Sequence, residues 1–323
     1  MALTNMVVFN KTLMEATIET LAQEVDKFNA ASNGTISLTS EGFMGDFFEK
    51  SFYASLHTAQ RRVDRYGANG AQAATVLSQL QENSVKIAGG FGPITFEPAQ
   101  MTWINSNPAE AIEMMSRTLA EVMIQDQLNS GIASAVAAIE NVALLTNDVS
   151  ATAGINQSNL NDTHALFGDS SMMLVGQIMT GTTYHNLVGQ NLTNATNLYE
   201  STTVTVVEIL GKKVIVTDAP SLRVSGTPNK QKVLSLVSGA VTVMDGSDVV
   251  SNIETANGKE RIETTMQADY TFGLGLKGFS WDTANGGKSP TDAELATGTN
   301  WDQVVSSIKH TAGVITIGDE AKS

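Results

Sequence analysis

The chain has no cysteine among its 323 residues. That excludes disulfides, thiolate metal sites and a cysteine nucleophile. Charge is also scarce: Asp, Glu, Lys and Arg make up 16% of the sequence, against about 25% in an ordinary soluble domain. Positive charge is scarcer still, with 19 basic against 33 acidic residues, a net charge of −14 and a pI near 4.6. Without a basic patch to neutralise phosphates, direct nucleic-acid binding is disfavoured. No apolar run reaches the ~18 residues needed to span a bilayer. The first residues lack the charged region and apolar core of a signal peptide. A soluble protein made in a cytoplasm is expected.

A catalytic set is missing too. The four histidines, His57, His164, His185 and His310, have no metal-ligand spacing, and no pair sits at i, i+4 on a helix. Gly273-Leu274-Gly275-Leu276-Lys277-Gly278 fits the spacing of a dinucleotide loop, but Phe279-Ser280-Trp281 continues a strand where that loop needs a helix. Gly286-Gly287-Lys288-Ser289 lacks the first glycine of a phosphate loop, and Pro290 sits where its helix should form. No serine stands in a nucleophile elbow. Asp245-Gly246-Ser247-Asp248 falls short of a calcium loop and reads as a hairpin turn. The sequence therefore assigns no catalytic, cofactor-binding or metal residue, which favours a structural or binding role over an enzyme.

What the chain does have is apolar content, 42%, enough for a substantial core, and a surface rich in Asn, Thr, Ser and Gly. Such a surface suits extensive protein–protein contact. Its leading feature is a long helix over 107–141. Asn107-Pro108 is a start signal, with Glu110 placed for a capping box. Ile112, Met115, Leu119 and Val122 form one apolar stripe, and Leu128, Ile132, Val136 and Ile139 another. The stripe slips near Asp126, and Gly131 is a place for a bend. At about 50 Å, this helix reads as a spine.

Elsewhere, residues 1–9 read as an extended arm and 10–30 as an amphipathic helix, from Met14, Ile18, Leu21, Val25 and Phe28. A short strand follows at 35–38, and a second short helix at 71–81. Ser84–Ile87 and Thr95-Phe96 flank Gly89-Gly90-Phe91-Gly92-Pro93 as a hairpin or finger with a flexible tip. Arg61, Arg62 and Arg65 are the one dense basic cluster in an acidic chain, either a solvated end or a subunit contact with the acids of a neighbour. Beyond the spine, strand 172–176, helix 181–191 and strands 204–209 and 213–217 form a candidate second lobe. Strands at 233–236, 240–244, 262–266 and 270–276, a capped helix at 289–295 and a last strand at 314–317 complete an α+β chain.

The order of these elements resembles the major capsid proteins of tailed bacteriophages, with the Hong Kong 97 phage fold. The resemblance rests on the amphipathic N-terminal segment, the projecting region and the spine. It rests also on the Gly211-Lys212-Lys213-Val214-Ile215-Val216-Thr217-Asp218 strand, Ser238-Gly239-Ala240-Val241, the strand ending Gly278-Phe279-Ser280-Trp281, and Asn300-Trp301. It implies an N-terminal arm over 1–32, an extended loop region (E-loop) over 33–104 and a peripheral-domain (P-domain) spine helix over 105–142. It further implies a mainly axial domain (A-domain) over 143–222, and C-terminal strands over 223–323 that complete both domains.

By the same resemblance the chain is a coat protein that self-assembles as hexamers and pentamers into an icosahedral head around double-stranded DNA. It would work with a separate scaffolding protein, a portal and decoration proteins, without a membrane and without cofactors. It would be made in the bacterial host cytoplasm and reside in the virion. The assembly contacts singled out are Lys86, Phe91, Arg61, Arg62 and Arg65. An encapsulin shell is the nearest alternative, followed by a flagellin or surface-layer subunit.

Overall fold

Pro108 and the run of helix formers after it give the molecule its axis. The computed structural model describes residues 3–32, 34–39, 47–53, 60–68, 70–72, 74, 76, 79–194, 208–245, 249–257, 260 and 262–322. Along the chain come α1 (Leu3–Ala31), β1 (Ile36–Thr39), β2 (Phe47–Tyr53), β3 (Gln79–Phe96), α2 (Pro98–Ser106) and the spine α3 (Pro108–Glu140). Then follow β4 (Thr146–Asp148), α4 (Gln157–Ala165), β5 (Leu174–Met179), α5 (Gly181–Asn194), β6 (Glu208–Ile209), β7 (Lys212–Val216) and β8 (Arg223–Val224). The chain closes with β9 (Lys230–Val237), β10 (Val241–Asp245), β11 (Val250–Ala256), β12 (Glu263–Leu276), β13 (Phe279–Trp281), α6 (Asp292–Leu295), β14 (Trp301–Gln303) and β15 (Gly313–Asp319).

Among the described residues two large sheets are built from these strands. One has the order β1-β10-β12-β3-β2, with β11 beside β12; the other has the order β4-β15-β9-β5-β7-β6, with β8 beside β9. Val241, Val243, Phe272 and Leu274 of the first sheet and Leu234, Leu236, Ile315 and Ile317 of the second share one core with Ile132, Val136 and Ile139 of α3. The C-terminal half of the spine thus welds the two sheets. Gly131 permits the close approach: a Cβ there would lie 3.1 Å from Val241 Cγ1. The helix runs unbroken through this glycine. The far face of the second sheet is covered by α4 and α5, through Leu160, Leu187, Met179 and Val233. No helix among the described residues is long and apolar enough to cross a membrane.

Several local expectations change. Residues 3–9 are helical, part of α1. Phe9 and Leu13 are seated with Ile104, Ala111 and Met266, and that burial continues the helix where an extended arm was expected. Asn107 makes no side-chain capping bond, so the box with Glu110 does not form. Capping contacts form instead where Glu97 N–H donates to Gln100 Oε1 (2.8 Å) and between Thr291 and Glu294. No helix is seen among the described residues of 71–81: residues 71, 72, 74 and 76 are irregular and exposed, and 79–81 belong to β3. The strand expected at Met172 begins at Leu174, and Met172 stands 85% exposed. Strands 262–266 and 270–276 are one continuous β12. Residues 246–248 lie outside the described set, but β10 and β11 on either side both run antiparallel to β12, so they follow one another along its edge and do not form a hairpin. Of the strand expected over 204–209, residues 204–207 lie outside the described residues.

The largest revision concerns the finger. Gly89 to Pro93 lies inside β3, which runs through it as one strand of 18 residues. The glycines serve close packing: a Cβ on Gly89 would lie 2.5 Å from the Tyr270 ring. The ladder with β12 shifts register between Met266 and Ala268, opposite this stretch.

Candidate assembly surfaces

A hairpin limb does exist, with its tip earlier in the chain. β2 pairs antiparallel with the first part of β3, from Phe47 opposite Val85 to Tyr53 opposite Gln79. Past Val85, β3 turns to β12 as its partner. The connection between β2 and β3 spans 54–78, and its described residues are exposed throughout. Arg61, Arg62 and Arg65 all stand in it, beside Tyr66, which is 100% exposed, and Val63 at 63%. One local bond organises the turn: Tyr66 N–H donates to Asp64 Oδ1 at 2.9 Å, an Asx turn. An exposed aromatic flanked by arginines is the residue set that anchors protein interfaces.

Lys86 and Phe91 do not share this surface. Lys86 is half-buried opposite Gly273 in the β3–β12 ladder. The Phe91 ring lies 5.3 Å from that of Tyr270, which stacks on Phe272 at 6.3 Å. Phe91 therefore packs on its own subunit, with one face on a groove of about 520 Å³ shared with Ala88, Val122, Tyr270 and Asp292. Tyr270 closes the groove's floor by donating its hydroxyl to Asp126 Oδ2 at 2.5 Å. Burial, and then the hydrogen bond to Asp126, push the Tyr270 hydroxyl far above the ordinary phenol range. It is a fixed donor, without acid–base use near neutral pH. No sequence signal announces this pair, because its members lie 144 residues apart.

The glycine-spaced motif at 273–278 does not form a nucleotide loop. Gly273 and Gly275 lie within β12, Gly278 sits in a turn, and β13 follows. Among the described residues no group of three or more His, Asp or Glu side chains is placed to hold a metal. His57 lies outside the described residues. Two ion pairs brace the body. Arg223 grips Glu320 with two nitrogens at 2.9–3.1 Å, and Lys232, its side chain 8% exposed, meets Glu140 at the end of the spine.

A family model described as Gp13-like, major capsid protein 13-like, matches residues 5–315. Among solved structures, the capsid asymmetric unit of cyanophage Pam1 is similar over 89% of this chain and 89% of that chain, with 10% identity and a TM-score of 0.54. The capsid of Helicobacter pylori bacteriophage KHP30 matches over 88% and 87%, with 11% identity and a TM-score of 0.49. No curated protein sequence matches. At this identity the Pam1 likeness is one of fold.

Proposed function

The chain belongs to the major capsid protein 13-like family and is a structural capsid protein with the fold of tailed-phage coats; on that premise we propose how it assembles. Copies join as pentamers and hexamers into an icosahedral head that encloses double-stranded DNA. The two welded sheets form the rigid brick, and the β2–β3 limb within the E-loop region 33–104 is the part that grips a neighbour. The spine belongs to the P-domain, and the second sheet with α4 and α5 to the A-domain.

The carrying observation is the family match across nearly the whole chain, residues 5–315. The limb adds support. Its three arginines are exposed, in a chain of net charge −14, so each copy presents abundant acid to the basic tip of another, and complementary charge speeds and orients such encounters. Phe91 would meet a neighbour only at the groove beside β3, which Lys86 does not line. The acidic balance keeps packaged DNA from adhering to the inner wall. A separate scaffolding protein, a portal and decoration proteins complete the proposed partners. The protein is made in the bacterial host cytoplasm and performs no catalysis. The family match favours a phage coat over an encapsulin.

Reversing the tip with Arg61→Glu, Arg62→Glu and Arg65→Glu tests the limb. The variant should keep the circular dichroism and melting temperature of the parent, because the tip touches little of its own subunit, while closed shells in electron micrographs fall at least tenfold. Shells in undiminished yield would remove the limb from the account.

A further inference from the structure

We propose that the joint between α4 and the seven-stranded sheet is a proton-sensitive latch, closed while His164 is neutral and opened when it takes a second proton. His164 is 6% exposed on the inner side of α4. Its Nε2 lies 3.0 Å from Ser235 Oγ on β9 and 3.1 Å from Gln177 Nε2 on β5. Gln177 and Ser235 are both wholly buried, and Gln177 Oε1 has no hydrogen-bond partner. One imidazole edge therefore bridges α4 to two central strands. Beside it, Thr316 of β15 donates to Thr163 Oγ1 at 2.7 Å, and Asn147 Nδ2 reaches the same hydroxyl at 3.0 Å. Leu160 is the apolar anchor of α4.

The surroundings suit a neutral ring and oppose a charged one. Of the charged groups on the elements packed around α4, Lys212 of β7 is the one acting on the imidazole, and it is itself a cation. Lys230 is paired with Asp148, Lys232 with Glu140, and Asp169 with Lys309. Asp319 is paired with Lys322. Asp162 on α4 is exposed, and Lys213 is half-buried on β7. Among the described residues no carboxylate acts on the ring. An imidazolium there would be a buried, unpaired cation beside another cation, which is relieved by letting α4 lift and water enter.

The pH window follows. Burial first, and Lys212 second, lower the His164 pKa from 6.5 to about 4. Between these values the lifted form binds a proton that the latched form does not. The latch is therefore at full strength above pH 6.5 and weakens as pH falls toward 4. The spine weld has no such group and should not follow. Acid would loosen this lobe, with exposed Met172 and Met173 at its margin, ahead of the rest of the subunit.

Hydrogen exchange on the full chain at pH 7.5 and 5.0, corrected for intrinsic rates, tests this. Peptides covering 157–179 should lose protection about tenfold at pH 5.0, while peptides covering 132–140 keep theirs. His164→Gln carries an amide that does not titrate, and should reduce that pH difference to less than about twofold. Equal protection at both pH values in the parent, or an undiminished difference in the variant, overturns the proposal. If the variant does not fold, proton NMR titration of the histidine rings in the parent decides: one ring titrating near pH 4 supports the latch, and all rings titrating at 6 or above refutes it.

Discussion

The spine helix leads two different lives. From Ile132 to Ile139 every residue except Ala133 is buried, whereas between Pro108 and Glu121 only Ala111, Ser116 and Ala120 are. That C-terminal stretch packs against both sheets and leaves only Ala133 half-buried before the exposed Glu140. The N-terminal half leans on α1 and α2 through small residues, with Ile112, Met115 and Leu119 packed partly against that cluster. One half is a weld and the other a strut. A strut with one side exposed opens more easily than a weld, so the molecule's compliance belongs at the end of the spine that carries α1.

Substitutions along the helix should show a gradient. Ile139→Ala, at a wholly buried site in the weld, should cost about 2–5 kcal/mol in urea unfolding; a cost below about 1 would mean that the sheets are not welded there. Gly131→Leu forces a side chain into the 3.1 Å approach to Val241 and should cost about 1–3 kcal/mol, read from the shift in melting temperature. Glu140→Ala strands the Lys232 ammonium. Its cost should be about 1–3 kcal/mol, with Glu140→Gln milder because an acceptor remains. In the strut, Leu119→Ala should cost about 1 kcal/mol, and Met114→Ala, 58% exposed, less than about 0.5. Equal costs in both halves would erase the distinction.

The same contrast explains what the sequence disclosed. The spine was legible from Asn107 to Asn141 because its length and start signal are local. Of its first apolar stripe, Ile112, Met115 and Leu119 pack partly against the cluster with α1 and α2, whereas Val122 is 42% exposed and the small Ala120 and Ser116 are buried in its stead: small residues allow close approach between helices, which hydrophobic periodicity does not report. Gly89 to Pro93 looked like a hairpin tip because its glycines are needed by distant β12, Gly89 by the Tyr270 ring, Gly90 by Asp269 and Gly92 by the backbone at Met266. The arginine cluster was legible as charge. Its place on the hairpin tip depended on the pairing of β2 with β3, a contact between strands separated by the whole limb. The pairing of Tyr270 with Asp126 and the setting of His164 left no trace, because neither has local periodicity.

The central claim is that this polypeptide is a shell subunit, and electron microscopy of the purified chain, with sedimentation of the same sample, tests it most directly. Closed shells or capsomer rings sedimenting far ahead of a 34.2 kDa monomer are expected. A single monomeric species that persists at high concentration, with and without a scaffolding protein, would contradict it.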